Sequence, residues 1–159
     1  MVTGVQTCAL PISIVLCGAL LAAPGVAVGS FYLQVKGTSD VSEIATRDAA
    51  ALWLETFKTP PRIVAGSEKY SIAQPFYGPS APHEFTHFAL DQSPWISKSR
   101  IQREGLLAIC DAADAGCIKF AEQYANAATS RRPVTISKTF VGIKGPDVPL
   151  IYLMTPLAP

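Results

Sequence analysis

Both histidines of the chain lie in the sequence His-Glu-Phe-Thr-His at residues 83–87, which matches the H-E-x-x-H motif of zinc proteases. On a helix, this spacing places His83 and His87 on one face to bind Zn²⁺, while Glu84 polarises the attacking water. Pro82 opposes a helix that continues from upstream, because its ring disfavours helical geometry in the preceding residue and removes a hydrogen bond. Zinc hydrolysis through these three residues is therefore an alternative hypothesis rather than the main one.

A strand fits the same segment better, with Phe85 pointing inward and Glu84 outward. The third zinc ligand would have to be Glu104 or Glu122, which only their residue type recommends. We accordingly expect no metal site and no cofactor.

Cys110 and Cys117, with six residues between them, are the two cysteines outside the N-terminal region that contains Cys8 and Cys17. The sequence near them contains no second cysteine pair and no suitably spaced histidine cluster that would complete a zinc site. If this domain is exported, a local disulfide between Cys110 and Cys117 is expected. Two buried free thiols are the alternative.

Binding candidates are few. Gly66 and Ser67 stand where a buried strand is expected to meet a helix N-terminus, a place that suits an anion or another ligand. A single glycine without G-x-G-x-x-G also fits an ordinary turn. Trp95, after Ser-Pro, is a third candidate, although packing is the role that its residue type favours. The pair at residues 131–132, Arg-Arg, is expected in a solvated turn. We identify no catalytic residue, because G-x-S-x-G is absent and neither Cys110 nor Cys117 has an obvious base partner.

The charge balance excludes one class of partner. Thirteen basic and 12 acidic residues in a chain of 159 give a formal net charge of +1. This charge supplies none of the positive field needed to neutralise nucleic-acid phosphates. Lys36 is the first charged residue, so that an uncharged N-terminal segment precedes a charged domain long enough for one core.

The uncharged segment divides in two. Residues 2–12 resemble the in-frame translation of a short-read sequencing adapter, so we set residues 1–12 aside as an artefact. Residues 13–35 are apolar and long enough to cross a bilayer as a transmembrane helix. A cleaved signal peptide is the alternative, although the basic start that it requires is missing. Either interpretation exports residues 36–159.

The exported part alternates helical and strand patterns. Helices are expected at 41–58, 68–76, 97–104 and after Asp111, and strands at 62–66, 83–90, 105–110, 134–141 and 149–154. In the helix after Asp111, the expected inner face consists of Cys117, Phe120, Ala121, Tyr124 and Ala125. The fold class predicted is an α/β layered domain with a mainly parallel sheet and an antiparallel edge hairpin.

The order of several short motifs then becomes informative. After the apolar segment come Arg62-Ile-Val-Ala-Gly66, Phe76-Tyr77-Gly78-Pro79, Ser93-Pro94-Trp95, Gly105-Leu-Leu-Ala-Ile-Cys110 with Cys117, and Gly142-Ile-Lys-Gly145-Pro146. From about Ser13 onward, the chain resembles the C-terminal part of bacterial polytopic glycosyltransferases similar to protein mannosyltransferases, which form family 39. Such enzymes transfer a sugar from a polyprenyl-phosphate donor to an acceptor on the outer face of the membrane.

The resemblance implies a C-terminal fragment of a membrane enzyme, inactive by itself, because the family's catalytic acidic residues lie in an early external loop. It implies an inner-membrane location with the soluble domain in the periplasm. The implied partners are the lipid bilayer, upstream membrane helices of the same protein, the polyprenyl-phosphate sugar donor and a glycan or lipid acceptor. A small exported binding domain behind a signal peptide is the other hypothesis, besides the zinc hydrolase.

Overall fold

The computed structural model describes residues 18, 22–32, 40–140 and 142–157. The chain forms two compact units, Met1–Thr38 and Ser39–Pro159. In the first unit, residues 22–32 are helical and exposed. Within the described ranges, no helix combines the length and the apolar character that crossing a bilayer requires. The adapter-like residues 1–12 and, within the expected transmembrane segment 13–35, residues 13–17, 19–21 and 33–35 lie outside the described residues.

The second unit is a mixed α/β domain. Its elements are α1 (Ser42–Phe57), β1 (Ile63–Gly66), α2 (Glu68–Tyr77), β2 (His83–Glu84), a 3₁₀ turn (Thr86–Phe88), α3 (Lys98–Glu104), β3 (Leu106–Asp111), α4 (Ala115–Glu122), β4 (Ser130–Ile136), β5 (Thr139–Phe140), β6 (Ile143–Lys144) and β7 (Val148–Thr155). The main sheet has the strand order β2-β1-β3-β7-β4, and β5 pairs with β6 separately. β1 runs parallel to both β2 and β3, whereas β7 is antiparallel to β3 and β4. Among the described strands the sheet is therefore mixed, with as many antiparallel as parallel pairings, and not mainly parallel as predicted.

Helices cover both faces of this sheet. One core cluster joins the α1 residues Ala45 and Trp53 and the α2 residue Tyr70 to Val64 and Ile109 of the sheet. The other cluster joins the α3 residue Ile101 and the α4 residues Cys117 and Ala121 to the opposite face, with Phe85 and Phe88. Because β1 and β3 are covered on both sides, they are continuous apolar runs in the sequence.

The early part of the domain follows the sequence prediction closely. α1, α2 and α3 lie within one or two residues of their expected bounds, as do β1 and β3. Their ends have local causes. Lys58 adopts a left-handed conformation at φ 60° after α1, and the Ser97 hydroxyl accepts the Arg100 N–H at the start of α3.

The strand expected at 83–90 is much shorter than predicted. It ends at Glu84, and residues 86–88 form a 3₁₀ turn in which His87 and Phe88 have positive φ angles of 50° and 55°. The Ser93 hydroxyl accepts the Thr86 N–H at 3.1 Å, which takes the place of a strand partner. Phe85 is nevertheless fully buried, as predicted.

The prediction for α4 was wrong in three respects: its start, its end and the burial of Phe120. Its N-cap is Asp114 rather than Asp111, because residues after β3 first form a turn. The helix ends at Glu122, so Tyr124 and Ala125 lie beyond it. Cys117 and Ala121 are buried as expected, but Phe120 is 49% exposed.

The C-terminal hairpin is present with different bounds. β4 begins at Ser130, four residues before the expected start, and pairs with β7 from Ser130↔Met154 to Ile136↔Val148. Arg131 and Arg132 therefore lie in an edge strand and not in a turn, although both are exposed. Thr139 and Phe140, at the end of the strand expected at 134–141, form the separate strand β5, which pairs with β6.

Candidate ligand crevice

A crevice opens at the carboxyl ends of β1 and β3. The chain leaves β1 into α2 on one face of the sheet and leaves β3 toward α4 on the other face. Two adjacent parallel strands whose connections diverge in this way leave a gap outside their ends, and open α/β sheets bind ligands there. The predicted binding residues Gly66 and Ser67 lie at this point.

Gly66 is required by the close approach of the two strands. Its φ is +145°, and a Cβ atom added to it would overlap the carbonyl oxygen of Ile109. The next residue, Ser67, donates its N–H to that same Ile109 carbonyl at 2.9 Å. A side chain at position 66 would therefore displace the backbone that begins α2.

Ser67 connects the starts of the two helices. Its hydroxyl donates to Asp114 Oδ2 at 2.9 Å and accepts the N–H of Asp111 at 3.1 Å. The other oxygen of Asp114, Oδ1, accepts the Cys117 N–H at 2.9 Å and thereby caps α4. The Ser67 backbone carbonyl accepts the N–H groups of Tyr70 and Ser71 in α2.

The space in front of these groups is a cavity of about 300 Å³. Its lining residues are Gly66, Ser67, Glu68, His87, Phe88, Asp114, Gly116, Cys117 and Phe120. The lining contains two carboxylates, those of Glu68 and Asp114, and one imidazole, that of His87, and Asp114 already caps the N-terminus of α4. The sequence led us to expect that this strand-helix junction suits an anion. The two carboxylates oppose that expectation, because they repel an anion.

An aromatic wall forms one side of the crevice. The rings of Phe88 and Phe120 stack with centroids 6.3 Å apart and an interplanar angle of 22°. Phe88 also stacks on Tyr124 at 6.4 Å, and Tyr124 meets the buried Phe85 edge-on at 5.2 Å. Phe88 is buried and Phe120 is half-exposed. The cluster therefore presents the Phe120 ring at the mouth of the cavity, with the Phe88 ring stacked against it.

The cysteine pair holds this wall to the sheet. Cys110 and Cys117 form a disulfide with their Cα atoms 5.8 Å apart, as the sequence predicted. It connects the end of β3 to the first turn of α4, and Cys117 itself lines the cavity. Phe120 lies one turn further along α4, the helix that the disulfide attaches to β3.

Asp111, whose backbone N–H binds the Ser67 hydroxyl, pairs with Lys69 and Tyr70. Asp111 accepts a hydrogen bond from the Tyr70 hydroxyl at 3.2 Å and forms an ion pair with Lys69 at 3.2 Å. Burial raises the pKa of Tyr70, and the charge of Asp111 adds to the effect. For Lys69, partial burial opposes the charged form, but the interactions with Tyr70 and Asp111 outweigh it and raise its pKa.

The structure separates the three residues of the H-E-x-x-H motif. His83 begins β2 and lines a different cavity, the Glu84 carboxylate accepts the Ser71 hydroxyl, and His87 lies at the crevice with its Nδ1 3.1 Å from Gln92 Oε1. The motif is not helical. Among the described residues, no group of three or more His, Cys, Asp or Glu side chains is placed to hold a metal ion.

The proposed third ligands for zinc are also engaged elsewhere. Glu104 pairs with Arg100, and Glu122 pairs with Arg131. The zinc hypothesis therefore lacks both the helix and the third ligand that it requires.

Trp95 does not line the crevice with Gly66 and Ser67. It is half-exposed, and its Nε1 donates to the backbone carbonyl of Glu84 at 3.2 Å. Asp114 and Phe120 are crevice residues that the sequence prediction missed. The signal for Asp114 was its position three residues before Cys117, which is the spacing of a helix cap.

Comparisons of the chain with protein families, with curated protein sequences and with solved structures found no match.

Proposed function

We propose that residues 36–159 are the C-terminal extracytoplasmic domain of a membrane glycosyltransferase, and that the crevice binds a sugar unit on the acceptor side of the reaction. The observation that carries the acceptor role is the pairing of an exposed aromatic ring, Phe120, with the carboxylates of Glu68 and Asp114 in one cavity. The glycosyltransferase class rests on the resemblance of the short motifs to family 39.

The chemistry of the cavity favours a neutral polyhydroxylated ligand. A sugar ring has an apolar face that packs on an aromatic ring and hydroxyl groups that donate to carboxylates. The two carboxylates disfavour phosphate and carboxylate ligands. A volume of about 300 Å³ is at the lower end of the range for small-ligand pockets, which suits one or two sugar units.

The disulfide between Cys110 and Cys117 supports an extracytoplasmic location. Disulfides persist in oxidising compartments such as the periplasm and are rare in the cytosol. Together with the apolar residues 13–35, this supports a chain attached to the inner membrane beside further membrane helices of the same protein. The polyprenyl-phosphate donor would meet the acceptor at that surface.

Saturation-transfer NMR on the full chain, in nonionic detergent, tests the sugar crevice. The probes are glucose, mannose, N-acetylglucosamine and their short oligomers. Phe120→Ala removes the exposed ring and should abolish the transfer signal. Phe76→Ala is the matched control, because Phe76 is 79% exposed on α2 and does not line the cavity. Equal signals from both variants would contradict a sugar site at Phe120.

The enzyme class is tested separately. The source DNA is read through the region upstream of Ser13, and the restored gene is assayed for transfer from a polyprenyl-phosphate-linked sugar in membrane vesicles. Several apolar spans with an acidic external loop, and transfer that falls in Phe120→Ala, would support the proposal. A start codon followed directly by a Lys/Arg-rich leader would overturn it.

An exported binding domain behind a signal peptide is the second candidate, and the compact unit Ser39–Pro159 with its own crevice favours it. The mass of the mature protein from exporting cells distinguishes the two. Loss of the apolar segment supports the exported binding domain, whereas its retention supports the membrane-attached one.

A further inference from the structure

A second cavity lies at the other end of the sheet, where β1 and β2 begin. Its volume is about 320 Å³, and it is lined by Pro60, Pro61, Arg62, Ser80, Ala81, Pro82, His83 and Arg100. Arg62 directly precedes β1, and its carbonyl accepts the N–H of His83 at 2.9 Å. The carboxyl-end crevice and this cavity are therefore separate sites.

The lining of this second cavity has the charge opposite to that of the crevice. Arg62 and Arg100 are cationic, His83 is the third ionisable residue, and no aspartate or glutamate is among the lining residues that the structure describes. Arg62 forms no ion pair with any residue in the described ranges. We refer to this space as the arginine cavity.

Glu104, next to the arginine cavity, is affected by this concentration of charge. The hydrogen bonds from Arg100 hold the pKa of Glu104 below its usual range, and the charges of Arg62 and Arg103 lower it further. Arg62 and Arg103 also line an adjoining groove with Glu104. The net charge of this region is positive, because three arginines surround one carboxylate.

Arg100 is fixed before any ligand arrives. Its Nε and Nη2 donate to the two Glu104 oxygens at 3.0 and 3.1 Å, and its Nη1 donates to the Trp95 carbonyl at 2.9 Å. A guanidinium has five N–H donors, so two remain available. A fixed guanidinium binds an anion at a smaller entropic cost than a mobile one.

The backbone around the arginine cavity is also restricted. Three of its lining residues are prolines, which fix their own φ angles. Ala81, between Ser80 and Pro82, has a φ of +42°, a strained value for a residue with a Cβ atom. Strain of this kind concentrates at ligand-binding positions.

We propose that the arginine cavity binds a phosphoryl group, held by the guanidinium groups of Arg62 and Arg100. The planar fork of Arg62 matches the oxygen spacing of phosphate, and the two N–H donors of Arg100 that Glu104 and Trp95 leave available add charge-assisted hydrogen bonds. The proposal does not depend on the glycosyltransferase assignment. The phosphoryl group could belong to a soluble phosphate compound or to the headgroup of an anionic lipid.

The test is an NMR titration of the full chain in nonionic detergent. In one arm inorganic phosphate is added, and in the other the micelles are doped with phosphatidylglycerol. The proposal expects amide shifts at Arg62, Ser80, Ala81, His83 and Arg100, outside the crevice. Shifts with phosphate alone indicate a soluble ligand, and shifts with phosphatidylglycerol indicate a headgroup. No shift in these residues in either arm would overturn the proposal.

Variants distinguish a built site from diffuse attraction. Arg62→Gln should weaken binding about tenfold, the effect of losing one charge-assisted hydrogen bond. Arg62→Lys keeps the charge but loses the fork, so its affinity should lie between those of Arg62→Gln and the unchanged chain. Arg132→Gln, the same charge change at an exposed position of β4, should have no effect. Equal weakening by Arg62→Gln and Arg132→Gln would show non-specific attraction and reject the proposal.

Discussion

The hydroxyl of Ser67 donates a hydrogen bond to the carboxylate of Asp114 at 2.9 Å, across a separation of 47 positions in the chain. Ser67 precedes α2 on one face of the sheet, and Asp114 caps α4 on the other. One hydrogen bond therefore sets the spacing of the two helix starts. It also closes the base of the crevice, so the stability of the domain and the shape of the site depend on the same contact.

Replacing Ser67 by alanine should destabilise the domain by about 1 to 3 kcal/mol, because Asp114 loses a donor and the Asp111 N–H loses an acceptor in a half-buried position. Urea unfolding followed by tryptophan fluorescence measures the change. Ser99→Ala removes a hydroxyl whose only described contact is an exposed one with Ser97, and it should change the free energy of unfolding by less than about 0.5 kcal/mol. Equal effects of the two substitutions would contradict the linking role of Ser67.

Gly66→Ala should prevent stable folding or cost more than about 4 kcal/mol, since the new Cβ would overlap the Ile109 carbonyl at a φ of +145°. Gly116→Ala is the matched control in the same cavity. Gly116 is exposed in α4, and its added Cβ would lie 3.4 Å from Asp114 Oδ1, so this substitution should raise stability by about 0.5 to 1 kcal/mol through helix propensity. Thermal unfolding of both variants checks the opposite signs.

Reducing the disulfide between Cys110 and Cys117 should lower the free energy of unfolding by about 2 to 3 kcal/mol, the chain-entropy value for so short a loop. It should also weaken sugar binding, since α4 carries Phe120. Urea midpoints with and without reductant give the first quantity. Alkylation without reductant, followed by mass spectrometry, should leave Cys110 and Cys117 unlabelled. Labelling of both cysteines would contradict the pairing.

The elements that the sequence predicted well are those with strong local signals. β1 is a short apolar run that ends in Gly66, and α1 repeats its buried residues Ala45, Ala49 and Trp53 at helical spacing until proline follows. The turn at residues 86–88 has no such signal. Its apolar residues suit a strand, and only the distant Ser93 hydroxyl and two positive φ angles end β2 after two residues.

Only the part of the candidate site that comes from the β1-α2 junction could be predicted from the sequence. Gly66 and Ser67 are adjacent in sequence and lie where a strand meets a helix, which is a local pattern. Asp114 and Phe120 reach the same crevice only because β1 and β3 are neighbours, with Gly66 paired to Ile109. Strand order is a long-range property that spacing does not reveal, and the amphipathic pattern of α4 placed Phe120 in the core.

The pair of Arg100 and Glu104 predicts a pH dependence of stability. Hydrogen bonding to Arg100 lowers the pKa of Glu104 from its ordinary value of 4.5, so the folded state favours the ionised carboxylate more than the unfolded state does. The stabilisation is fully present above pH 4.5 and is lost as the pH falls through the lowered pKa. Because both side chains are partly exposed, at 19% and 24%, it should not exceed about 1 kcal/mol.

Urea unfolding of the unchanged chain and of Glu104→Gln, repeated from neutral to acidic pH, measures this dependence. Glu104→Gln should be less stable at neutral pH, and the difference should shrink as Glu104 becomes protonated in the unchanged chain. Glu55→Gln, at an exposed glutamate of α1 that forms no ion pair within the described residues, should show little difference at any pH. If the deficit of Glu104→Gln stayed constant down to acidic pH, a neutral packing effect would explain it, and the charge of Glu104 would have no part in holding Arg100 beside the arginine cavity.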